Sequence, residues 1–262
     1  MNPKNFWTKY TFAVNQTRLF KIGYSEVFIR HIQNGWLIKS KKTDSEFAEL
    51  EVEEVAGIDD DSDVLHFHTG KSHDLIVIPA LPEKSVVFRN NKNLKITAGE
   101  ATNLFLRVPV NLQFYFQEVK DENRMLDLPT KRLSDTWFGE IDSGEPAFSI
   151  GSNYDKSFAD VKAMDWEAIL SVEIINNTSG SLDLQRLILH VEEFHLYLKN
   201  KQLLTNYATI EFKGQEQAGS VNLSVRKEIH GEKPVQLAKP RNSDTRNLLR
   251  RSFFFIKNIY QN

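Results

Sequence analysis

From residue 18 onward, the chain is built of short runs in which apolar and polar residues alternate, each closed by glycine, asparagine or a small polar cluster. RLFKIG (18–23), EVFIRHI (26–32) and WLIKS (36–40) are separated by Gly23-Tyr24-Ser25 and by Gln33-Asn34-Gly35. Period-two alternation marks a strand with one wet face, and Asn-Gly between two such runs signals a tight hairpin. VLHFH (64–68) and DLIVIPAL (74–81) flank Thr69-Gly70-Lys71-Ser72 and predict a second hairpin. VVFRN (86–90), LKITA (94–98) and TNLFLRVPVNLQFYF (102–116) follow. Past residue 160 come AILSVEIINN (168–177), LDLQRLILHVE (182–192), EFHLYL (193–198), LTNYATIEFK (204–213) and SVNLSVRKEI (220–229).

Strands in succession without alternating helices predict an all-β fold. NLKITAGEATNLFLRVPV and SVEIINNTSGSLDLQRLILHVE each read as a strand, a turn and a strand that pairs back. That pattern predicts an immunoglobulin-like β-sandwich, an architectural analogy that carries no function. Pro82 and the Asn90-Asn91-Lys92-Asn93 turn place a boundary near residues 82–92. The expected organisation is a smaller N-terminal β unit (1–91), a β-sandwich domain (92–230), and a linker with a C-terminal amphipathic helix (231–262).

The last segment changes period. After HGEKPVQLAKPRN (230–242), Ser243-Asp244 supplies a helix start, and a helix near 244–260 follows. Leu248, Leu249, Phe253, Phe255, Ile256, Ile259 and Tyr260 fall on one face of the helical wheel, and Arg246, Arg250, Arg251, Lys257 and Asn258 on the other. Phe254 sits alone on the basic side. The expectation is docking on the chain's own domain or on another subunit, with a partner or an anionic membrane surface as the less favoured destination.

Composition narrows the function classes. Against 33 Lys and Arg stand 35 Asp and Glu, a net charge of -2, which lacks the basic footprint of a nucleic-acid binder. The chain has no cysteine, which excludes disulfides, thiolate zinc sites and thiol nucleophiles. Its first residues do not resemble a signal peptide, and no run approaches the ~18 apolar residues of a membrane span. A cytoplasmic protein without cofactor or metal is expected.

Candidate chemistry is sparse. Residues 44–63 hold ten acids and no Lys or Arg, which reads as a solvated strand or short helix with an acidic loop. Asp59, Asp60, Asp61 and Asp63 lack the spacing of a calcium loop. His66 and His68 share a strand face near His73-Asp74, a pattern that also arises without a metal. His190, Glu192, Glu193 and His195 read as an exposed or edge face. Walker and dinucleotide motifs, a nucleophile elbow and a Ser-His-Asp order are all missing.

The most unusual stretch is LSDTWFGEIDSGEPAFSIGSNYDKSF (133–158). One reading makes Trp137 a stacking platform with Asp135, Glu140, Asp142 and Glu145 as binding or acid/base groups for a small ligand such as a carbohydrate. The simpler reading has Trp137 and Phe138 anchor a crossover loop between sheets. Leu133-Ser134-Asp135-Thr136-Trp137-Phe138-Gly139, with Pro79-Ala80-Leu81-Pro82 and the valines after it, resembles domain of unknown function family 432 of bacteria and archaea. The resemblance implies no established activity, and it carries a gene-neighbourhood link to mechanosensitive channels. Relatives carry a cysteine where this chain has Ala147, so a thiol mechanism there is excluded for this chain. The expected function is non-enzymatic: a β-sandwich protein acting by protein interaction or self-association, with envelope or channel association. The alternative is a small-ligand binding module or hydrolase at the Trp137 stretch.

Overall fold

The structure, a computed structural model, describes residues 6–59, 63–70, 72–139, 141–142, 144–151, 154–213, 220–224 and 234–241. The strands are β1 (Lys9–Thr11), β2 (Thr17–Ile32), β3 (Gly35–Val55), β4 (Leu65–His68), β5 (Asp74–Ala80) and β6 (Val86–Ile96). They continue as β7 (Ala101–Pro109), β8 (Asn111–Phe116), β9 (Arg124–Pro129), β10 (Ser134–Phe138), β11 (Glu145–Gly151) and β12 (Tyr154–Asp155). The last six are β13 (Glu167–Asn176), β14 (Leu182–Leu189), β15 (Leu196–Lys199), β16 (Gln202–Phe212), β17 (Ser220–Ser224) and β18 (Val235–Ala238). Helical content among the described residues consists of 3-10 turns at Asp121–Asn123, Phe158–Asp160 and Val191–Glu193. The fold is all-β, as the alternation predicts. The helix expected at 244–260 lies outside the described residues.

The chain forms two compact units that interleave in sequence. Unit 1 comprises Met1–Ala80, Pro109–Arg132 and Met164–Trp166, and unit 2 comprises Leu81–Val108, Leu133–Ala163 and Glu167–Asn262.

Unit 1 holds a four-stranded sheet, β1-β5-β8-β9, and a three-stranded sheet, β2-β3-β4. Its spine is the long β2–β3 hairpin, closed at Gln33-Asn34, one residue ahead of the expected Asn34-Gly35 pair, with Ile32 opposite Gly35 and Thr17 opposite Val55. The turn expected at Gly23-Tyr24-Ser25 is instead an irregularity in the β2–β3 pairing, where the register with β3 shifts on either side of Gly23. Phe20 and Ile22 are buried before it, and Ser25, Val27, Ile29 and His31 after it. The pairing moves from Lys21 opposite Glu51 to Ser25 opposite Lys42, so the extra residues of the irregularity lie on β3. Gly23 has φ +55°, and a Cβ there would lie 2.5 Å from the Thr130 carbonyl oxygen. That oxygen accepts the Tyr24 N–H at 2.8 Å.

β3 runs past the expected end at residue 40 to Val55, so most of the acidic stretch is a solvated strand. The hairpin expected between 64–68 and 74–81 does not form. β4 pairs with β3, whereas β5 pairs with β1 and β8, so residues 69–73 link two sheets. Aromatic edges fill the interior: Phe20 meets Phe114 at 5.1 Å and Phe12 meets Trp36 at 5.2 Å, both T-shaped. Trp166 is also buried, donating its Nε1–H to the Phe47 carbonyl at 3.3 Å while its own carbonyl accepts Val110 N–H at 3.0 Å.

Unit 2 holds a four-stranded sheet, β10-β11-β6-β14, and a larger sheet, β12-β7-β13-β16-β15-β18, with β17 on β16. β6 runs through Asn90–Asn93, where a turn is expected, and absorbs the irregularity as a register shift against β14. The sequence reading has β13 and β14 pair back on each other, but they lie in different sheets: β13 pairs parallel with β16, and β14 antiparallel with β6. The turn at Gly99 likewise carries the chain from β6 in one sheet to β7 in the other. Val235–Ala238, read as linker, is β18, paired with β15.

Asn176, fully buried at the end of β13, ties the two sheet-changing turns together. Its Nδ2 donates to the Ile96 and Gly180 carbonyls, both at 2.8 Å. Its Oδ1 accepts the Thr178 N–H at 3.1 Å and the Thr178 hydroxyl at 2.7 Å. Its backbone N–H donates to Glu100 O at 2.9 Å and its carbonyl accepts Gly99 N–H at 2.8 Å. Only an amide has both the donors and the acceptor this position needs.

Three substitutions test these contacts through stability. Asn176→Ala leaves buried carbonyl and N–H groups unsatisfied, and should cost about 3 kcal/mol, on the order of 10 °C in Tm by thermal unfolding. Asn176→Asp should do no better, because a carboxylate cannot donate to Ile96. Gly23→Ala should cost about 2 kcal/mol or more, from positive φ together with collision with the Thr130 carbonyl. Denaturant titration reads this as a lower midpoint, and an unchanged midpoint would refute the irregularity as the reason for glycine.

Candidate functional site

LSDTWFG forms no loop. Residues 134–149 make the β10–β11 hairpin, with Thr136 opposite Ala147, Trp137 opposite Pro146 and Phe138 opposite Glu145. The turn closes tightly because Gly139, at φ +110°, comes so close to Gly144 that a Cβ would sit 2.6 Å from its Cα. Among the described residues β10 is a sheet edge. Alternation along it sends Trp137 and Phe138 to opposite faces, which corrects the reading of both as loop anchors. Phe138 is buried with Val87, Ala147 and Ile188. Trp137 is 46% exposed, and Ile141 in the turn is 89% exposed.

The five residues proposed for ligand binding divide accordingly. Asp135 shares the Trp137 face and pairs with Lys84 at 3.2 Å, whose ammonium also lies 4.8 Å from the centre of the Phe148 ring. Asp142 is exposed in the turn, and Glu140 lies outside the described residues. Glu145 is on the opposite face, with Phe138. Arg186 crosses that second face, its guanidinium 5.0 Å from the Phe138 ring centre and its Nη2 donating to the Trp137 carbonyl at 2.7 Å.

At the end of the Phe138 face is a polar cluster whose members lie far apart in sequence. Ser85, just ahead of β6, places its Oγ 2.7 Å from His190 Nδ1 and 3.3 Å from Glu192 Oε1. His190 Nδ1 lies 3.3 Å from Glu192 Oε1 and 3.7 Å from Glu145 Oε1. Ser85 and Glu192 are buried, at 5% and 4% exposure, and the 3-10 turn Val191–Glu193 turns the Glu192 carboxylate inward. His190 and Glu192 therefore do not form the exposed edge expected from sequence. Among the described residues, Glu192 Oε2 and Glu145 Oε1 are buried without a hydrogen-bond partner. Burial is the largest influence on His190 and opposes its charge. The Glu192 hydrogen bond and the negative charges of Glu192, Glu145 and Glu193 together outweigh it and raise the pKa.

The cluster does not have the geometry of a nucleophile relay. In a relay, hydroxyl and acid engage opposite imidazole nitrogens, and the hydroxyl faces substrate. Here both engage Nδ1 and the hydroxyl is buried. The arrangement suits a shared proton: Nδ1–H donates to Ser85 Oγ, whose own O–H donates to Glu192. Ser85 carries no sequence signal that separates it from other serines, and so was missed.

The remaining histidines are dispersed. His66 and His68 are exposed on β4. His73 is also exposed, and its ring meets buried His31 at 4.8 Å. His195 lies beyond the turn, with its N–H on Asn206 Oδ1. Asp60 and Asp61 lie outside the described residues, as do Arg246, Arg250, Arg251, Phe253, Phe254 and Lys257. Among the described residues, no group of three or more His, Asp or Glu side chains is placed to hold a metal ion, and no helix is long and apolar enough to cross a membrane.

No curated protein and no solved structure matches the chain. A family described as "Protein of unknown function (DUF432)" matches residues 6–257, nearly the whole length and all of the LSDTWFG hairpin. The chain therefore belongs to the DUF432 family.

Proposed function

We infer that this chain is a non-enzymatic β protein that acts by binding another protein chain, a second copy or a separate partner, along the β10 edge of unit 2. The observation that carries this reading is the hairpin end, where Trp137 and Ile141 present large apolar surface beside an open strand edge. Strand addition at a sheet edge draws affinity from main-chain hydrogen bonds, and a partly exposed Trp is a common interface anchor. The burial of the Ser85 hydroxyl, which meets His190 Nδ1 on the same side as Glu192, supports a non-catalytic role. An immunoglobulin-like sandwich is part of the proposal, supported by the two turns that change sheets at Gly99 and after Asn176. So are the helix near 244–260, supported by its amphipathic pattern, and a cytoplasmic location with a channel or envelope partner, supported by the missing cysteines and by the family's gene neighbourhood.

A second reading keeps a specific observation. Asp135 and exposed Trp137 share one face, which is the combination a carbohydrate ring stacks and hydrogen-bonds against.

A photo-crosslinking residue at position 141 of the full chain should form a protein adduct, and sedimentation should detect the association. Trp137→Ala and Ile141→Glu should each weaken it by about 2 kcal/mol, roughly thirty-fold in Kd. A chain that stays monomeric and gives no adduct at 141 would sink the interaction reading. Glycan binding lost in Trp137→Ala but retained in Ile141→Glu would favour the carbohydrate reading instead.

A further inference from the structure

We propose that the Ser85–His190–Glu192–Glu145 cluster is a pH-sensitive latch that holds β18 on the edge of β15. Arg241, just past β18, links the two. The 3-10 turn Val191–Glu193 carries the Glu192 carboxylate into the cluster, and its Glu192 carbonyl faces the other way to accept Arg241 N–H at 2.8 Å. Arg241 Nε donates to the Leu81 carbonyl at 2.5 Å, on the segment that leads to Ser85. The same turn runs through Phe194 into β15. β18 itself has a short ladder: Leu196 opposite Ala238, Tyr197 opposite Gln236 and Leu198 opposite Val235, with a register shift between the first two. Val235 is 64% exposed, so apolar burial adds little at that end. The two Arg241 bonds add to that ladder and tie the end of the strand to the 191–193 turn.

The charge balance of the cluster depends on one proton. Glu145 from β11 and Glu192 and Glu193 from the turn act on His190, and all three favour its charged form. Ser85 from the β6 side is neutral, and neighbouring Lys84 turns its ammonium to Asp135 and Phe148. With His190 protonated, buried Glu192 has a cation at 3.3 Å. With His190 neutral, Glu192 is a buried anion without a counterion in the cluster, a state that costs several kcal/mol unless water reaches it. Water reaches it if the 191–193 turn moves outward, and that motion takes the Glu192 carbonyl away from Arg241.

The direction is set by linkage. His190 binds its proton more tightly in the folded chain than at the ordinary value of about 6.5. Its stabilising effect is complete below that value and is lost as pH rises through the higher folded one. The latch is closed in acid and opens toward alkaline pH.

Amide hydrogen exchange of residues 234–241 in the full chain, corrected for intrinsic rates, tests this between about pH 5.5 and about pH 8.5, with His190 followed by NMR over the same range. Protection should fall about tenfold or more along the His190 titration, while β6 and β14 stay protected. Glu192→Gln removes the buried anion, and should abolish the step and lower the His190 pKa. Constant protection while His190 titrates would overturn the proposal, as would a step retained in folded Glu192→Gln. If that variant does not fold, coincidence or divergence of the two wild-type curves still decides.

Discussion

Unit 2 depends on one buried amide. Four strands that belong to two different sheets, β6, β7, β13 and β14, end or begin within reach of Asn176, and both turns that change sheets are hydrogen-bonded to it. A buried turn cannot lean on water, so its carbonyl and N–H groups need partners from the protein. Asn176 supplies them for both crossings at once. The order of strands in the two sheets, and hence the placing of the β10–β11 hairpin and of the Ser85–His190 cluster, rests on those crossings holding their geometry.

The two faces of the four-stranded sheet then diverge in character. The Phe138 face carries a dry cluster of Val87, Phe138, Ala147 and Ile188, closed at one end by Ser85, His190, Glu145 and Glu192. A low-dielectric neighbour strengthens each charge interaction there and makes each missing one costly. The opposite face, toward the edge, carries Trp137 and Asp135 in contact with solvent. One strand, β10, contributes to both through its alternation. The apolar residue that anchors the hairpin and the aromatic residue it displays are consecutive in sequence.

What was legible in the sequence was what depends on neighbours in sequence. The all-β class and a hairpin between the runs at 26–32 and 36–40 follow from alternation and turn chemistry, both local, although the turn itself is Gln33-Asn34. Gly23 deceived because an irregular strand pairing and a turn use the same residue, and only the register with β3 tells them apart. The pairings proposed for 64–68 with 74–81, and for 168–177 with 182–192, assumed that strands next to each other in sequence pair. Their true partners, such as β6 for β14, lie some ninety residues away. A single boundary near residues 82–92 is what a linear scan offers, whereas the units exchange the chain several times. The fold of the LSDTWFG stretch was hidden because glycines and acids suggest a loop until Gly139 and Gly144 are seen to close a hairpin. The Ser85–His190–Glu192 cluster was illegible for the same reason as β14: its members meet only once β6, β11 and β14 are side by side.

The interleaving of the units bears on how the chain is made. Residues 6–80 emerge from a ribosome first, yet β8, β9 and Trp166 that complete unit 1 come later, after the first strands of unit 2. Trp166 is wholly buried and bridges Phe47 and Val110, sites more than sixty residues apart. Until it arrives, β5 and the long β2–β3 hairpin lack part of their cover, and an exposed strand edge is a template for the wrong partner. A chain with this path cannot finish one half before beginning the other. Unit 1 stays incomplete while the intervening strands of unit 2 are made, and its open edges must be kept from neighbouring chains for that interval.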